Sequence, residues 1–136
     1  MILDTSFLVA AERGAVRLDA FLEAHRSEPI GIAAITASEL LHGCHRAGGD
    51  AVRARRAAFV DALLEALPVL SFGLPEARRH AELWAALARE GTMIGPHDLL
   101  IAATALAHGR ALATFDRRDF GRVAGLRLVA LDRFLP

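Results

Sequence analysis

The stretch Pro96–Phe120, PHDLLIAATALAHGRALATFDRRDF, decides the fold. From Leu99 to Leu106 it is apolar nearly all round, and a helix without a polar face belongs at the centre of a protein. His97 and Asp98 fall in its first turn, where free N–H groups and the helix dipole favour a carboxylate. Gly109 stands where a C-cap is expected. Ala111–Phe115 then reads as a short buried strand that stops at Asp116. A buried helix therefore starts on one acid, and the strand after it ends on another. In open α/β sheets ligands collect outside the carboxyl ends of the strands. Asp116 is placed for a site, and Asp98 is within reach of it.

The same pattern recurs upstream. Met1–Asp4 is a short apolar strand ending on an acid, with Thr5 or Ser6 to cap a helix containing Phe7, Leu8 and Ala11. After a break at Gly14, Val16, Leu18, Phe21 and Leu22 form the apolar side of a second helix, which Pro29 ends. Ile30–Ile35 is predicted as a strand buried on both faces. Thr36 or Ser38 then starts a third helix, with Glu39 in its first turn. Beyond Gly48 and Gly49 a long helix covers Ala51–Leu67, and Val69–Phe72 follows Pro68 as the third strand. Pro75–Glu90 is predicted as a helix burying Ala77, Ala81, Trp84 and Leu87. A turn of helix around Asp119–Val123 and a strand at Leu126–Leu131 complete the chain. Strands alternating with helices imply a mainly parallel sheet covered on both faces. With 136 residues and no repeat or linker, one domain spanning 1–136 is expected.

Composition narrows the function classes. Hydrophobic residues make up 54% of the chain, which argues against disorder. No apolar run approaches the roughly 18 residues of a membrane span, and Asp4 and Glu12 interrupt any signal-peptide pattern. A cytoplasmic protein is expected. Cys44 is alone, which excludes an internal disulfide and a cysteine-rich zinc site. Net charge is zero, yet all 16 basic residues are arginine, bunched at Arg53, Arg55 and Arg56, at Arg78 and Arg79, and at Arg117 and Arg118. Arginine suits bidentate phosphate contacts.

Asp4, Glu39, Asp98 and Asp116 all stand at strand C-termini or at the starts of helices, which share one edge of a parallel sheet. Each alone reads as well as a cap or a turn residue. Gathered together they would repel and raise one another's pKa. A hard divalent cation resolves that repulsion, and Mg²⁺ takes a few carboxylates while also engaging substrate phosphates. Weaker candidates surround them. Glu39 and His42 have E-x-x-H spacing, but only one copy exists where a di-iron site needs two. His42, Cys44 and His45 do not share a helix face. His97 reads as a helix-start or supporting residue. No dinucleotide, Walker or G-x-S-x-G motif occurs.

Four segments together resemble a known family: MILDTSFLVA at the start, SELLHG at Ser38–Gly43, DLLIAATALAHG from Asp98, and LATFDRRDFGRVAGLRL. In order and spacing, over essentially the whole chain, they resemble a PIN domain of the VapC toxin type. The resemblance implies a three-layer α/β/α fold with a central, mainly parallel sheet of four to five strands. It also implies a Mg²⁺- or Mn²⁺-dependent ribonuclease, the toxin of a toxin–antitoxin pair, homodimeric and neutralised by a VapB-type antitoxin. Carried over by position, Asp4, Glu39, Asp98 and Asp116 are the catalytic acids, with Asp4, Asp98 and Asp116 on the metal. Asp119 matches another frequent acid that shares or assumes the fourth role, and Thr5, Ser6 and Thr114 match supporting hydroxyls. Arg117 and Arg118 are expected to hold the RNA backbone, since a bare acidic site repels it. Two other functions use the same residues: hydrolysis of DNA or small phosphoesters, and a non-catalytic role as half of a DNA-binding complex. An exposed apolar groove for an antitoxin helix is expected near Leu41, Cys44 and the helix after Gly49, or beside the first two helices.

Overall fold

A computed structural model describes residues 1–136. Its strands are two residues each: β1 (Ile2–Leu3), β2 (Ile32–Ala33), β3 (Val69–Leu70) and β4 (Leu112–Ala113). All pairings are parallel. β1 pairs with β4, β2 with β3, and single bridges join Ile2 to Gly31 and Leu112 to Leu128. The order across the sheet is therefore β3, β2, β1, β4, with the segment around Leu128 at the far edge. A Cβ at Gly31 would lie 3.0 Å from the Pro68 carbonyl oxygen, so the close approach of β2 and β3 needs glycine there.

The strands are short because two of them turn at once into helices. α1 (Thr5–Glu12) begins after Asp4, and α3 (Ala34–Arg46) begins directly after β2. The other helices are α2 (Leu18–Ala24), α4 (Asp50–Ala66), α5 (Leu74–Glu90), α6 (Pro96–Ala107) and α7 (Arg117–Phe120). Successive strand residues point to opposite faces, and that alternation divides the core. Leu3, Ile32 and Ala113 pack with Phe7, Phe21, Val60 and Leu63 from α1, α2 and α4. Ile2, Ala33 and Leu112 pack with Leu83, Leu87, Leu99, Ile101 and Phe120 from α5, α6 and α7. The fold is thus three layers, helix–sheet–helix.

α6 is the central helix that its sequence predicts. Leu99, Ile101, Ala102, Ala103, Thr104 and Ala105 are all buried, and α6 packs on α5 and α3. Gly109, at φ 61°, takes the left-handed conformation that ends it. The neighbouring α5 is anchored by Glu76. Its Oε2 accepts the Gly73 N–H at 3.1 Å, and its Oε1 accepts from His108 Nε2, just past α6, at 2.9 Å.

Several expectations are corrected. The apolar run Ile30–Ile35 is not all strand, because the helix starts at Ala34 and absorbs Ile35. A short apolar run fits a buried strand and a buried helix start equally well. Glu39 consequently sits in the second turn of α3, and Ala33, not Thr36 or Ser38, is the N-cap residue. The final strand shrinks to the bridge at Leu128, followed by a 3₁₀ turn at Asp132–Phe134. Trp84 is not core. Leu87 is buried as predicted, but the rest of the buried stripe of α5 is Glu76 and Leu83, one residue (about 100° of rotation) from Ala77 and Trp84, and Trp84 stays 56% exposed. Nor does the apolar surface lie mainly beside Cys44, which packs against the core and leaves Leu41 exposed. Phe72, Leu74, Trp84 and Met93 are exposed instead, on β3–α5 and the approach to α6.

Candidate active site

The carboxyl edge of the sheet gathers the acids. Asp4 follows β1 and is 3% exposed. Burial pushes its pKa up, opposed by hydrogen bonds from Thr114 and Ser6. Thr114 Oγ1 and Ser6 Oγ donate to the same oxygen, Oδ2, at 2.6 and 2.7 Å, and neither uses Oδ1. The two hydroxyls also accept backbone N–H groups as the chain leaves β4: Phe115 N–H bonds Ser6 Oγ at 3.1 Å, and Asp116 N–H bonds Thr114 Oγ1 at 3.0 Å. One small network thus fixes Asp4 and the turn that carries Asp116.

Asp116 is both the predicted strand-end acid and a cap. Its Oδ1 accepts the Asp119 N–H at 3.2 Å and starts α7. Asp98 stands in the first turn of α6. Its carboxyl is pushed up to about 6, first by burial, then by the charges of Asp4, Asp116, Glu39 and Asp119. Glu39 reaches the same place from the second turn of α3. Thr5 Oγ1 donates to its Oε1 at 2.8 Å, and His97 Nδ1 lies 3.5 Å from its Oε2. Asp4, Thr5, Ser6, Glu39, Asp98 and Asp116 all line one open cavity of about 550 Å³.

Metal-ligating geometry is specific to part of this set. Asp98, Asp116 and Asp119 are the group whose carboxylate oxygens lie within 4.8 Å of one another. The expected ligand Asp4 lines the cavity outside that group, and Asp119 is inside it. Anionic oxygens at this spacing, whose mutual repulsion already raises the pKa of Asp98, suit a hard divalent cation. His42, Cys44 and His45 form no such group. His42 lines a neighbouring groove instead.

Of the arginines expected to face a substrate, Arg117 and Arg118 are both exposed on α7, and Arg117 Nη1 donates to the Val129 carbonyl at 3.1 Å. Two arginines of the α4 bunch are otherwise engaged, and Arg55 is exposed. Arg53 donates to the carbonyl of Ala47, just past α3, and Arg56 to that of Gly43 in α3, and Arg56 pairs with Glu12 at 3.2 Å. Sequence reasoning did not single out Arg13, which lines the acid cavity. An isolated arginine after a helix carries no pattern to mark it.

Comparison with known proteins matches this arrangement. A PIN-domain family model matches residues 1–126. Ribonuclease VapC1 of Rickettsia felis is 34% identical over 132 residues, 97% of this chain and 96% of the relative. The tRNA(fMet)-specific endonuclease VapC of Salmonella typhimurium is 33% identical over 97 residues, 71% of each chain. Among solved structures, VapBC2 from Rickettsia felis bound to a promoter DNA fragment superposes with a TM-score of 0.85 at 27% identity, covering 94% of this chain and 96% of that one. DNA-bound VapBC from Salmonella typhimurium gives 0.84 at 28% identity, covering 94% and 95%. A parallel sheet with acids at its carboxyl edge, matched by family model, relatives and fold, places the chain in the PIN-domain family, among the VapC proteins.

Proposed function

We propose that this chain is the ribonuclease toxin of a VapBC pair, hydrolysing RNA phosphodiesters at the acid cavity with Mg²⁺, or with Mn²⁺ in its place. The observation that carries the reading is the meeting of Asp4, Glu39, Asp98 and Asp116 in one cavity, in a chain whose relatives are named ribonucleases. Asp98 and Asp116 would hold the cation, with Asp4 and Asp119 completing the anionic surround. When bound, the metal stabilises charge on the phosphate and acidifies water. Glu39, held at one oxygen by Thr5, takes the proton of the attacking water. The water oxygen bonds to phosphorus, the P–O3′ bond breaks, and O3′ leaves as an alkoxide that takes a proton from solvent water to become the hydroxyl. The products carry a 5′-phosphate and a 3′-hydroxyl, and no ribose 2′-hydroxyl takes part. Ser6 and Thr114 keep Asp4 from turning away. Arg117 and Arg118 steady the RNA backbone on the α7 flank.

The whole chain acts as one domain, in the cytoplasm, as a homodimer until a VapB-type antitoxin neutralises it. Exposed Phe72, Leu74, Trp84 and Met93 support self-association. No helix is long and apolar enough to cross a membrane. The test is cleavage of matched single-stranded RNA and DNA by the purified chain in Mg²⁺ and in EDTA. Metal-dependent scission of RNA with 5′-phosphate ends is expected. Equal cleavage of the DNA would favour a general phosphodiesterase, and no cleavage of either would favour the non-catalytic role.

A further inference from the structure

A second groove opens beside the acid cavity. It holds about 350 Å³, within the roughly 300–1,000 Å³ of ligand clefts, and runs between α1, α3 and α4. Thr5, Val9, Arg13 and Glu39 line both it and the acid cavity, so the two are continuous. Beyond that junction its charged lining is Arg46, Arg56 and Glu12, with the imidazoles of His42 and His97 beside them. The charges differ in how they are used. Arg56 is spent on Glu12 at 3.2 Å and on the Gly43 carbonyl at 3.3 Å. Arg13, just past α1, and Arg46, the last residue of α3, are exposed, pair with no acid and donate no side-chain hydrogen bond. Two uncommitted guanidiniums therefore flank a groove that leads into a ring of carboxylates.

That juxtaposition fits an anionic polymer better than a helix of a partner protein. A docked amphipathic helix needs an apolar floor, and here only Val9, Leu40 and Val60 supply one among polar and charged neighbours. A nucleic-acid strand needs its phosphates neutralised where it approaches acids that would repel it. We propose that the groove between α1, α3 and α4 is the track of the single-stranded RNA on the side of the acid cavity away from α7, with Arg13 and Arg46 contacting its phosphates. The assignment rests on the ribonuclease reading above and adds the path that the substrate takes. Arginine at a helix C-terminus also offsets the helix dipole, and that structural role predicts no dependence of RNA binding on these two residues.

The test measures binding of a fluorescein-labelled single-stranded RNA across a salt series, in Mg²⁺. All variants carry Asp98→Asn, so that the RNA survives. Arg13→Ala with Arg46→Ala should weaken binding about tenfold at moderate salt and lower the log–log salt slope by about 1.4, since each phosphate contact on a single strand contributes about 0.7. Arg78→Ala with Arg79→Ala removes the same charge from exposed positions on α5 that line neither cavity, and should leave the slope unchanged. Arg13→Lys with Arg46→Lys should restore the slope, because the point charges return. A groove-pair slope and Kd equal to those of the parent would overturn the track. So would loss of antitoxin capture with RNA binding intact, which would give the groove to a protein partner. Cleavage by the unsubstituted chain is run alongside. If it cleaves RNA while the groove pair binds normally, the track alone fails; if it cleaves no RNA, the ribonuclease reading fails first.

Discussion

Glu76 and Asp98 occupy matching positions in helices that pack against each other, and they are used in opposite ways. Each lies in the first turn of its helix, three residues after a glycine N-cap and shortly after a proline. Glu76 turns back to accept the Gly73 N–H and meets His108, so its own helix N-terminus and then the histidine hold its carboxyl below the usual range. Asp98 accepts no hydrogen bond from a side chain and faces acids, and burial with their charges pushes it up to about 6. Helix position alone therefore does not decide what a first-turn acid does. The neighbours decide it: a histidine ring that donates to the carboxylate at one end of the α5–α6 pair, a gathering of further carboxylates at the other.

The largest effect should come from removing the unsatisfied acid. Asp98→Asn keeps the size of the side chain and its place in the helix turn, but takes an anionic oxygen from the metal group. Metal assistance contributes several kcal/mol to such reactions, so RNA cleavage in Mg²⁺ should fall by at least about a hundredfold, as read from initial rates on a labelled RNA. Next come the two acids of α7. Asp116→Asn should cost more activity than Asp119→Asn, because Asp116 is fixed by the network at the end of β4 and caps α7, whereas Asp119, equally half-buried, shares its charge with Arg122 at 4.0 Å. If Asp119 proves the more costly, it holds the fourth position. Glu76→Gln should do the reverse of Asp98→Asn: a Tm lower by a few degrees with the cleavage rate unchanged.

The smallest effect is in pH dependence, where the two acids have opposite signs. Asp98 has a folded pKa of about 6 against an ordinary 3.8, so the folded, metal-free protein binds the extra proton. Its stability should rise as pH falls from 7 toward 5. A two-unit shift is worth at most about 3 kcal/mol, and water screening of a partly exposed carboxyl brings it nearer about 1 kcal/mol. Glu76 lies below its ordinary 4.5, so its contribution is present above that pH and is lost as pH falls through its folded value. Urea melts should show Asp98→Asn lessening the rise, with the buried Asp4 supplying what is left, and Glu76→Gln lessening the acid loss.

Much of this was legible in the chain. The run Leu99–Leu106 has no polar face, so its burial follows, and with it the layer that carries Asp98. Asp4 and Asp116 read as strand ends because apolar runs stop at them. Glu39 was displaced by a turn because nothing in Ile30–Ile35 separates strand from helix. Trp84 was misplaced because alanines at Ala77, Ala81 and Ala85 make either stripe of α5 plausible, and the choice falls to the Glu76–His108 contact. The pairing of Arg13 with Arg46 depends on two helix ends distant in sequence, and no local spacing records it.

The most direct test of the central claim, that the acids around Asp98 form a cation site, is the thermal stability of the unsubstituted chain and of Asp98→Asn across a Mn²⁺ titration at pH 7.5. A ligand at about a hundred times its Kd stabilises the folded state by about 2.7 kcal/mol. The unsubstituted chain should therefore show a saturable rise in Tm, reversed by EDTA, while Asp98→Asn starts at least as stable and gains little. Equal stabilisation of both by Mn²⁺ would contradict the account.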